Sequence, residues 1–194
     1  MNKIVIIIPS RLNARRLPNK PLKLINNKEM ILHVYDSAAR SSAGEVYVAT
    51  PDQKIVDIVK NFGGNAIKTS DNHETGTDRI FEVFKETLNS EPNIIINLQG
   101  DMPNLEPQAI SNLVSYMNKN KCDIGTLASD FSSKIEIDNP NIVKVAVKEK
   151  LSNDIFLNAL DFFRTKTKST YNLYHHIGIY AFTNKALIRY VSLK

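Results

Sequence analysis

The segment Lys3-Ile4-Val5-Ile6-Ile7-Ile8-Pro9-Ser10-Arg11 decides the fold. Every residue from Ile4 to Ile8 is apolar and β-branched, which is the pattern of a strand buried on both faces of a parallel sheet. The segment therefore predicts a central first strand. The loop that follows it, beginning at Pro9, should lie at the strand's carboxyl end.

Strand-like and helix-like segments alternate along the rest of the chain. Short apolar runs predict strands over residues 46–49, 94–98, 124–127, 142–147 and 177–182. Apolar residues at helical spacing predict helices around residues 31–38, 55–62, 80–87 and 110–117, with one more from residue 184. This alternation predicts a doubly wound α/β fold, with a mostly parallel sheet and helices on both faces. Ligands of such folds bind beyond the carboxyl ends of the strands.

The composition limits the class of protein. With 194 residues and 42% hydrophobic content, the chain can bury a core and favours a single domain over residues 1–194. No stretch approaches the roughly 18 consecutive apolar residues of a membrane span, and the only cysteine, Cys122, cannot form an intrachain disulfide. We expect a cytoplasmic protein with no membrane partner. The formal net charge of +5 suits an anionic small substrate as well as it suits nucleic acid.

A basic loop follows the first predicted strand. Residues 11–20 include Arg11, Arg15, Arg16 and Lys20, and the prolines at positions 18 and 21 prevent a regular helix. At the carboxyl edge of a parallel sheet, these cations can hold a triphosphate and stabilise pyrophosphate as it leaves. From the residue types alone, a solvated surface loop explains the segment equally well, because its spacing is not that of a P-loop.

Polar residues also follow the predicted strand over 94–98. Asp101 would face the basic loop there, which makes it a candidate Mg²⁺ ligand, although a cap before Pro103 is the alternative. Gln99 offers a donor and an acceptor to a sugar or a base. Later in the chain, Arg164 and His176 could bind a substrate carboxylate, while a structural role is the commoner one for such a histidine.

In order along the chain, these segments resemble the CMP-Kdo synthetases, the cytidylyltransferases that activate the eight-carbon acidic sugar Kdo (3-deoxy-manno-octulosonate) for lipopolysaccharide. The resemblance is collinear over essentially the whole sequence. It is carried by residues 6–11, 16–22, 48–50, 73–79, 97–103, 139–145, 162–164 and 176–180. The Gly76-Thr77-Asp78-Arg79 and His176-Ile177-Gly178-Ile179-Tyr180 segments are the most specific.

The resemblance implies that CMP is transferred from CTP to the anomeric hydroxyl of Kdo with release of pyrophosphate, and that Mg²⁺ is the cofactor. The implied catalytic residues are Arg11, Lys20 and Asp101, of which Asp101 binds the metal. The implied nucleotide-binding residues are Arg11, Arg16, Lys20, Thr75, Gly76, Thr77 and Arg79, and the implied sugar-binding residues are Gln99, Arg164 and His176. A homodimer is implied for the complete enzyme.

The sequence departs from the family pattern at several positions. Met102 stands where a glutamate usually follows Gln-Gly-Asp, and His175 stands where an arginine is common. Family members also continue past the equivalent of Lys194 with a segment that carries a second metal-binding aspartate. The resemblance therefore implies that the chain is truncated at its C-terminus, and it leaves open whether the truncated chain is active.

The sequence also allows other functions. They are a cytidylyltransferase for another acidic sugar such as a sialic acid, a non-catalytic remnant, and a nucleic-acid-binding module. Arg164 and His176 would distinguish the two sugars, because eight-carbon and nine-carbon acids place the carboxylate differently. The nucleic-acid module predicts aromatic residues interleaved with basic ones, and residues 11–20 contain no aromatic residue.

Overall fold

The computed structural model describes residues 3–13, 17–152, 155–165 and 170–193. The strands are β1 (Ile4–Pro9), β2 (Leu24–Ile25), β3 (Lys28–Glu29), β4 (Glu45–Thr50), β5 (Ala66–Lys68), β6 (Ile94–Leu98), β7 (Ile124–Ser129), β8 (Lys144–Val147), β9 (Ala159–Phe163) and β10 (Asn172–Thr183). The helices are α1 (Met30–Arg40), α2 (Gln53–Asn61), α3 (Gly76–Glu82), α4 (Pro107–Asn120), α5 (Lys134–Asp138) and α6 (Asn184–Val191). The chain forms two compact units, one of residues 1–125 with 179–194 and the other of residues 126–178.

A mostly parallel sheet forms the centre of the first unit. Its strands β5, β4, β1 and β6 lie in that order and run parallel. The end of β10, residues 179–183, runs antiparallel beside β6. Strand β1 therefore lies between two parallel neighbours, with Ile7 opposite Tyr47 on one side and Asn97 on the other. The predictions of a central first strand and of a mostly parallel α/β fold are confirmed.

Helices cover both faces of this sheet. A buried cluster on one face joins β1 and β6 to α3 and α6, and it includes Val5, Ile7, Ile80, Phe84, Ile95 and Leu187. Ile6 and Ile8 are fully buried on the opposite face, because side chains alternate along a strand, and α1 packs against β1 and β4. Among the described residues, no helix combines the length and the apolar character needed to cross a lipid bilayer.

The helix boundaries follow local sequence signals. Gly63, at φ 88°, ends α2 in the left-handed region that glycine adopts without strain. Helix α3 begins with a capping box, in which the Thr75 hydroxyl accepts a hydrogen bond from the Asp78 backbone N (3.2 Å) and Asp78 Oδ2 accepts one from the Thr75 backbone N (3.1 Å). A π-helical turn, Val83–Thr87, continues this helix. The helix predicted around residues 80–87 is confirmed.

The second unit contains a small antiparallel arrangement. Strand β8 pairs with β9 on one side and with residues 172–175 of β10 on the other. The sequence did not predict β9, because four of its five residues are exposed and so no alternation of apolar and polar residues marks it. The single domain predicted over residues 1–194 stays a prediction.

Lys144 is a fully buried cation in the second unit. Its Nζ donates hydrogen bonds to the backbone oxygens of Asn139 (2.6 Å), Ile142 (3.0 Å) and Arg164 (2.8 Å). These bonds use all three ammonium donors, which compensates for the loss of water around the charge. Lys144 thereby ties the turn that precedes β8 to the residue that follows β9.

We predict that Lys144→Met lowers the free energy of unfolding by about 2–3 kcal/mol, because methionine fills the volume but leaves three carbonyl groups without their donor. Urea unfolding followed by circular dichroism measures the change. Lys148→Met is the matched control at an exposed lysine, and it should stay within about 0.5 kcal/mol of the parent. Similar losses in both variants would contradict the structural role of Lys144.

Candidate active site

A cavity of about 250 Å³ lies in the first unit, at the carboxyl edge of the parallel sheet. Strands β1 and β6 are parallel neighbours, so the segments that follow them meet at this edge. The cavity is lined by most of the nucleotide and metal residues that the sequence predicted, namely Arg11, Lys20, Thr75, Gly76, Arg79 and Asp101, and by Gln99. The structure thus brings together residues from three separate sequence segments.

Backbone hydrogen bonds fix the described parts of the basic loop. The Leu12 backbone N donates to Asp52 Oδ2 (2.8 Å), which ties the start of the loop to the residue that precedes α2. Asn19 adopts a left-handed backbone conformation with φ 57°. Its backbone N donates a hydrogen bond to the Leu12 backbone O (3.0 Å). These bonds hold the loop where Arg11 and Lys20 line the cavity.

Three cations, Arg11, Lys20 and Arg79, line the cavity. Arg79 is only 3% exposed, and its Nη1 donates to the Ser70 backbone O (2.8 Å) and to Thr69 Oγ1. Burial, reinforced by repulsion from Arg11, lowers the pKa of Arg79. Guanidinium groups near enough to repel each other favour an anionic ligand between them.

Asp101 supplies an open carboxylate at the same cavity. Its Oδ2 accepts a hydrogen bond from Lys20 Nζ at 2.8 Å, and 54% of its side chain is exposed. In the part of the chain that the structure describes, no group of three or more His, Cys, Asp or Glu side chains forms a metal site by itself. A single carboxylate fits a hard cation that takes its other ligands from phosphate oxygens and water.

The Thr75–Arg79 segment forms one wall. A Cβ atom added at Gly76 would lie 3.0 Å from the Pro9 ring and 3.6 Å from Gln99 Nε2, so a side chain here would require Pro9 to shift by a few tenths of an ångström. Thr77, unlike Thr75, Gly76 and Arg79, is not part of the lining, and its hydroxyl accepts a hydrogen bond from the buried Asn97 side chain (3.2 Å). Arg16, the other predicted nucleotide residue, lies outside the described residues.

Ser10 is a lining residue that the sequence analysis did not single out. Its side-chain oxygen is buried and, among the described residues, has no hydrogen-bond partner. A buried hydroxyl without a hydrogen-bond partner gains one when a ligand places a polar atom beside it. The signal that could have identified Ser10 is its place directly after the first strand, at the same sheet edge as Gln99.

Arg164 and His176 lie in the second unit. Arg164 follows β9 and is exposed. His176 is 8% exposed, its Nε2 lies 2.9 Å from Thr126 Oγ1, and the Phe162 ring packs edge-on against it with 5.1 Å between ring centres. Burial, reinforced by His175, lowers the pKa of His176 below its ordinary value of 6.5. The imidazole is therefore neutral at pH 7, and it acts as a hydrogen-bonding group.

The lowered pKa of His176 predicts a pH-dependent contribution to stability. As the pH falls below about 6.5, the unfolded chain takes up a proton at this residue before the folded chain does, so stability is lost. We predict that His176→Gln loses less free energy of unfolding between pH 7 and pH 5 than the parent does, as measured by urea titrations at both values. An equal loss in the two proteins would contradict the prediction.

Comparison with known proteins extends over nearly the whole chain. A family model described as Cytidylyltransferase matches residues 5–194. The 3-deoxy-manno-octulosonate cytidylyltransferases of Brucella ovis and Brucella anthropi are each 40% identical to the chain over 195 residues. These alignments cover 98% of the chain and 76% and 77% of the two relatives, so the chain spans about three quarters of their length.

Solved structures show the same likeness. The structure of a CMP:2-keto-3-deoxy-manno-octonic acid synthetase complexed with CTP superposes with a TM-score of 0.86 at 38% identity, covering 99% of this chain and 78% of that one. A cytidylyltransferase from Leptospira borgpetersenii gives a TM-score of 0.64 at 19% identity, over 100% of this chain and 66% of that one, which shows a shared fold alone.

Proposed function

The chain belongs to the cytidylyltransferase family, and on that premise we propose that it transfers CMP from CTP to the anomeric hydroxyl of Kdo, releasing pyrophosphate, in lipopolysaccharide biosynthesis. The observation that carries the proposal is the 40% identity, over 98% of the chain, to relatives named for this activity. The cavity adds a physical reason, because its cations suit a triphosphate and its carboxylate suits the metal that accompanies one.

Arg11, Lys20 and Arg79 bind the phosphates of CTP in this proposal. Lys20 Nζ uses one of its three donors on Asp101, so two remain for phosphate oxygens. The sugar hydroxyl attacks the α-phosphorus in line and loses its proton to water. A new phosphorus–oxygen bond forms, and the bond to pyrophosphate breaks. The cations stabilise the charge that accumulates on the departing pyrophosphate, so positioning and electrostatics carry the rate.

We propose Mg²⁺ as the cofactor and Asp101 as its protein ligand. When bound, Mg²⁺ neutralises phosphate charge and lowers the pKa of the attacking hydroxyl. The exposure of Asp101 supports this role, because a half-exposed carboxylate can gain a ligand without a large change in its surroundings. Thr75 and Gly76, which also line the cavity, frame the nucleotide in this proposal.

Gln99, Arg164 and His176 are the proposed sugar-binding residues. The planar guanidinium of Arg164 is exposed, and it matches the geometry of a carboxylate, which is the group that makes Kdo acidic. His176 is neutral and suits a sugar hydroxyl. We further propose that the reaction takes place in the cytoplasm, and that the complete enzyme is a homodimer.

The first experiment is to incubate the purified chain with CTP, Kdo and Mg²⁺ and to measure pyrophosphate release, with UTP, ATP and a sialic acid as controls. We expect release only with CTP and Kdo together. Release with the sialic acid and not with Kdo would reassign the sugar. A chain that binds CTP in the presence of Mg²⁺ but releases no pyrophosphate would be the inactive form that the sequence analysis considered.

We predict that Asp101→Asn lowers kcat by at least about 100-fold, because loss of the metal ligand removes several kcal/mol of transition-state stabilisation. Steady-state pyrophosphate release at saturating substrate concentrations measures kcat. The free energy of unfolding should change by less than about 1 kcal/mol, since the ion pair with Lys20 is exposed.

The matched control for this substitution is Asp57→Asn, which changes an exposed carboxylate on α2. It should leave both kcat and stability close to those of the parent. The metal role of Asp101 would be wrong if Asp101→Asn kept the parent kcat at every Mg²⁺ concentration.

A further inference from the structure

Asn97 is a buried amide in an otherwise apolar strand. The sequence of β6 is Ile94-Ile95-Ile96-Asn97-Leu98, and Asn97 is 1% exposed. A carboxamide in such a place loses its hydrogen bonds to water, and the loss must be offset by bonds within the protein. Asn97 can therefore be buried in β6 only if its amide is hydrogen-bonded within the protein.

Asn97 joins helix α3 to a residue of the cavity. Its Nδ2 donates to Thr77 Oγ1 (3.2 Å), and its Oδ1 accepts a hydrogen bond from Gln99 Nε2 (2.8 Å). Both ends of the buried amide are thus used. The three side chains form a row from the start of α3, through the strand, to the wall of the cavity.

This row determines how Gln99 faces the cavity. The Gln99 amide nitrogen bonds to Asn97, and it also lies near Gly76, where an added Cβ atom would be 3.6 Å away. The nitrogen is therefore turned toward the protein. The carbonyl oxygen of the same amide is left as the acceptor for a ligand in the cavity that Gln99 lines.

We propose that Asn97 and Thr77 are positioning residues, which hold the Gln99 carboxamide so that its Oε1 accepts a hydrogen bond from a hydroxyl of the sugar substrate. The inference rests on the proposed function, since it assigns the sugar as the ligand of Gln99. In this proposal Thr77 acts by holding Asn97, and it does not contact the nucleotide directly. A glutamine fixed before binding selects a hydroxyl donor and loses little side-chain freedom when the substrate arrives.

Steady-state kinetics test the proposal through Asn97→Leu, which keeps the approximate size of the side chain and removes both hydrogen bonds, and through Thr77→Val, which removes one. We expect each to raise KM for Kdo about tenfold, the equivalent of one lost hydrogen bond, and to leave KM for CTP within about twofold. Thr77→Ser keeps the hydroxyl and should behave as the parent does. Equal increases in the two KM values would overturn the proposal.

A double-mutant cycle with Gln99→Ala separates positioning from general damage. If Asn97 acts through Gln99, then Asn97→Leu should have no further effect on KM for Kdo in the Gln99→Ala background. Independent, multiplicative effects would overturn the proposal.

A further measurement does not depend on turnover. The side-chain amide of Gln99 should show the NMR relaxation of a rigid group in the parent and in Thr77→Ser, and faster motion in Thr77→Val. The same rigidity in all three proteins would overturn the proposal even if the parent enzyme is active. A parent that releases no pyrophosphate with Kdo would instead overturn the proposed function, and the NMR comparison would still decide the positioning role.

Discussion

The parallel pairing of β1 with β6 is the constraint on which the site depends. Ile4 lies opposite Ile94 and Ile7 opposite Asn97, so both strands end at the same edge. Residues 9–11 and 99–101 leave the sheet there and line one cavity. An antiparallel pairing would have put these two segments at opposite ends of the sheet. The burial of four consecutive β-branched residues in β1, Val5 to Ile8, favours the parallel arrangement, because both faces of the strand are covered.

Buried polar groups then fix the geometry that the sheet makes possible. Asn97 and Lys144 lie among apolar residues, and each uses its polar atoms in hydrogen bonds to protein groups. A buried polar group that is fully bonded has few alternative arrangements, since any movement leaves a donor or an acceptor without a partner. Both residues lie next to a residue with a proposed role, Gln99 in one unit and Arg164 in the other.

Much of the first unit could be predicted from the sequence, because its signals are local. Continuous apolar runs and apolar residues at helical spacing each report on a few neighbouring residues, and the structure has the strands and helices that they predict. The exposed strand β9 could not be predicted, since its pairing with β8 depends on residues distant in sequence. The basic loop and Asp101 were identified as candidates by position. The row of hydrogen-bonded side chains from Thr77 through Asn97 to Gln99 could not be identified in this way, because it depends on the packing of α3 beside β6.

Two arginines of the cavity repel each other, and that property is consistent with the proposed use of the cavity. Arg11 repels Arg79, whose guanidinium is buried, and the Ser10 hydroxyl has no partner among the described residues. Each of these features costs folding free energy in the absence of a ligand. A polyanion would remove the repulsion and could supply an acceptor for the hydroxyl. The same groups would then bind most strongly when negative charge is greatest, which is the state approached as pyrophosphate leaves. The cations that line the cavity can therefore assist the transfer step of the proposed reaction as well as the binding of the nucleotide.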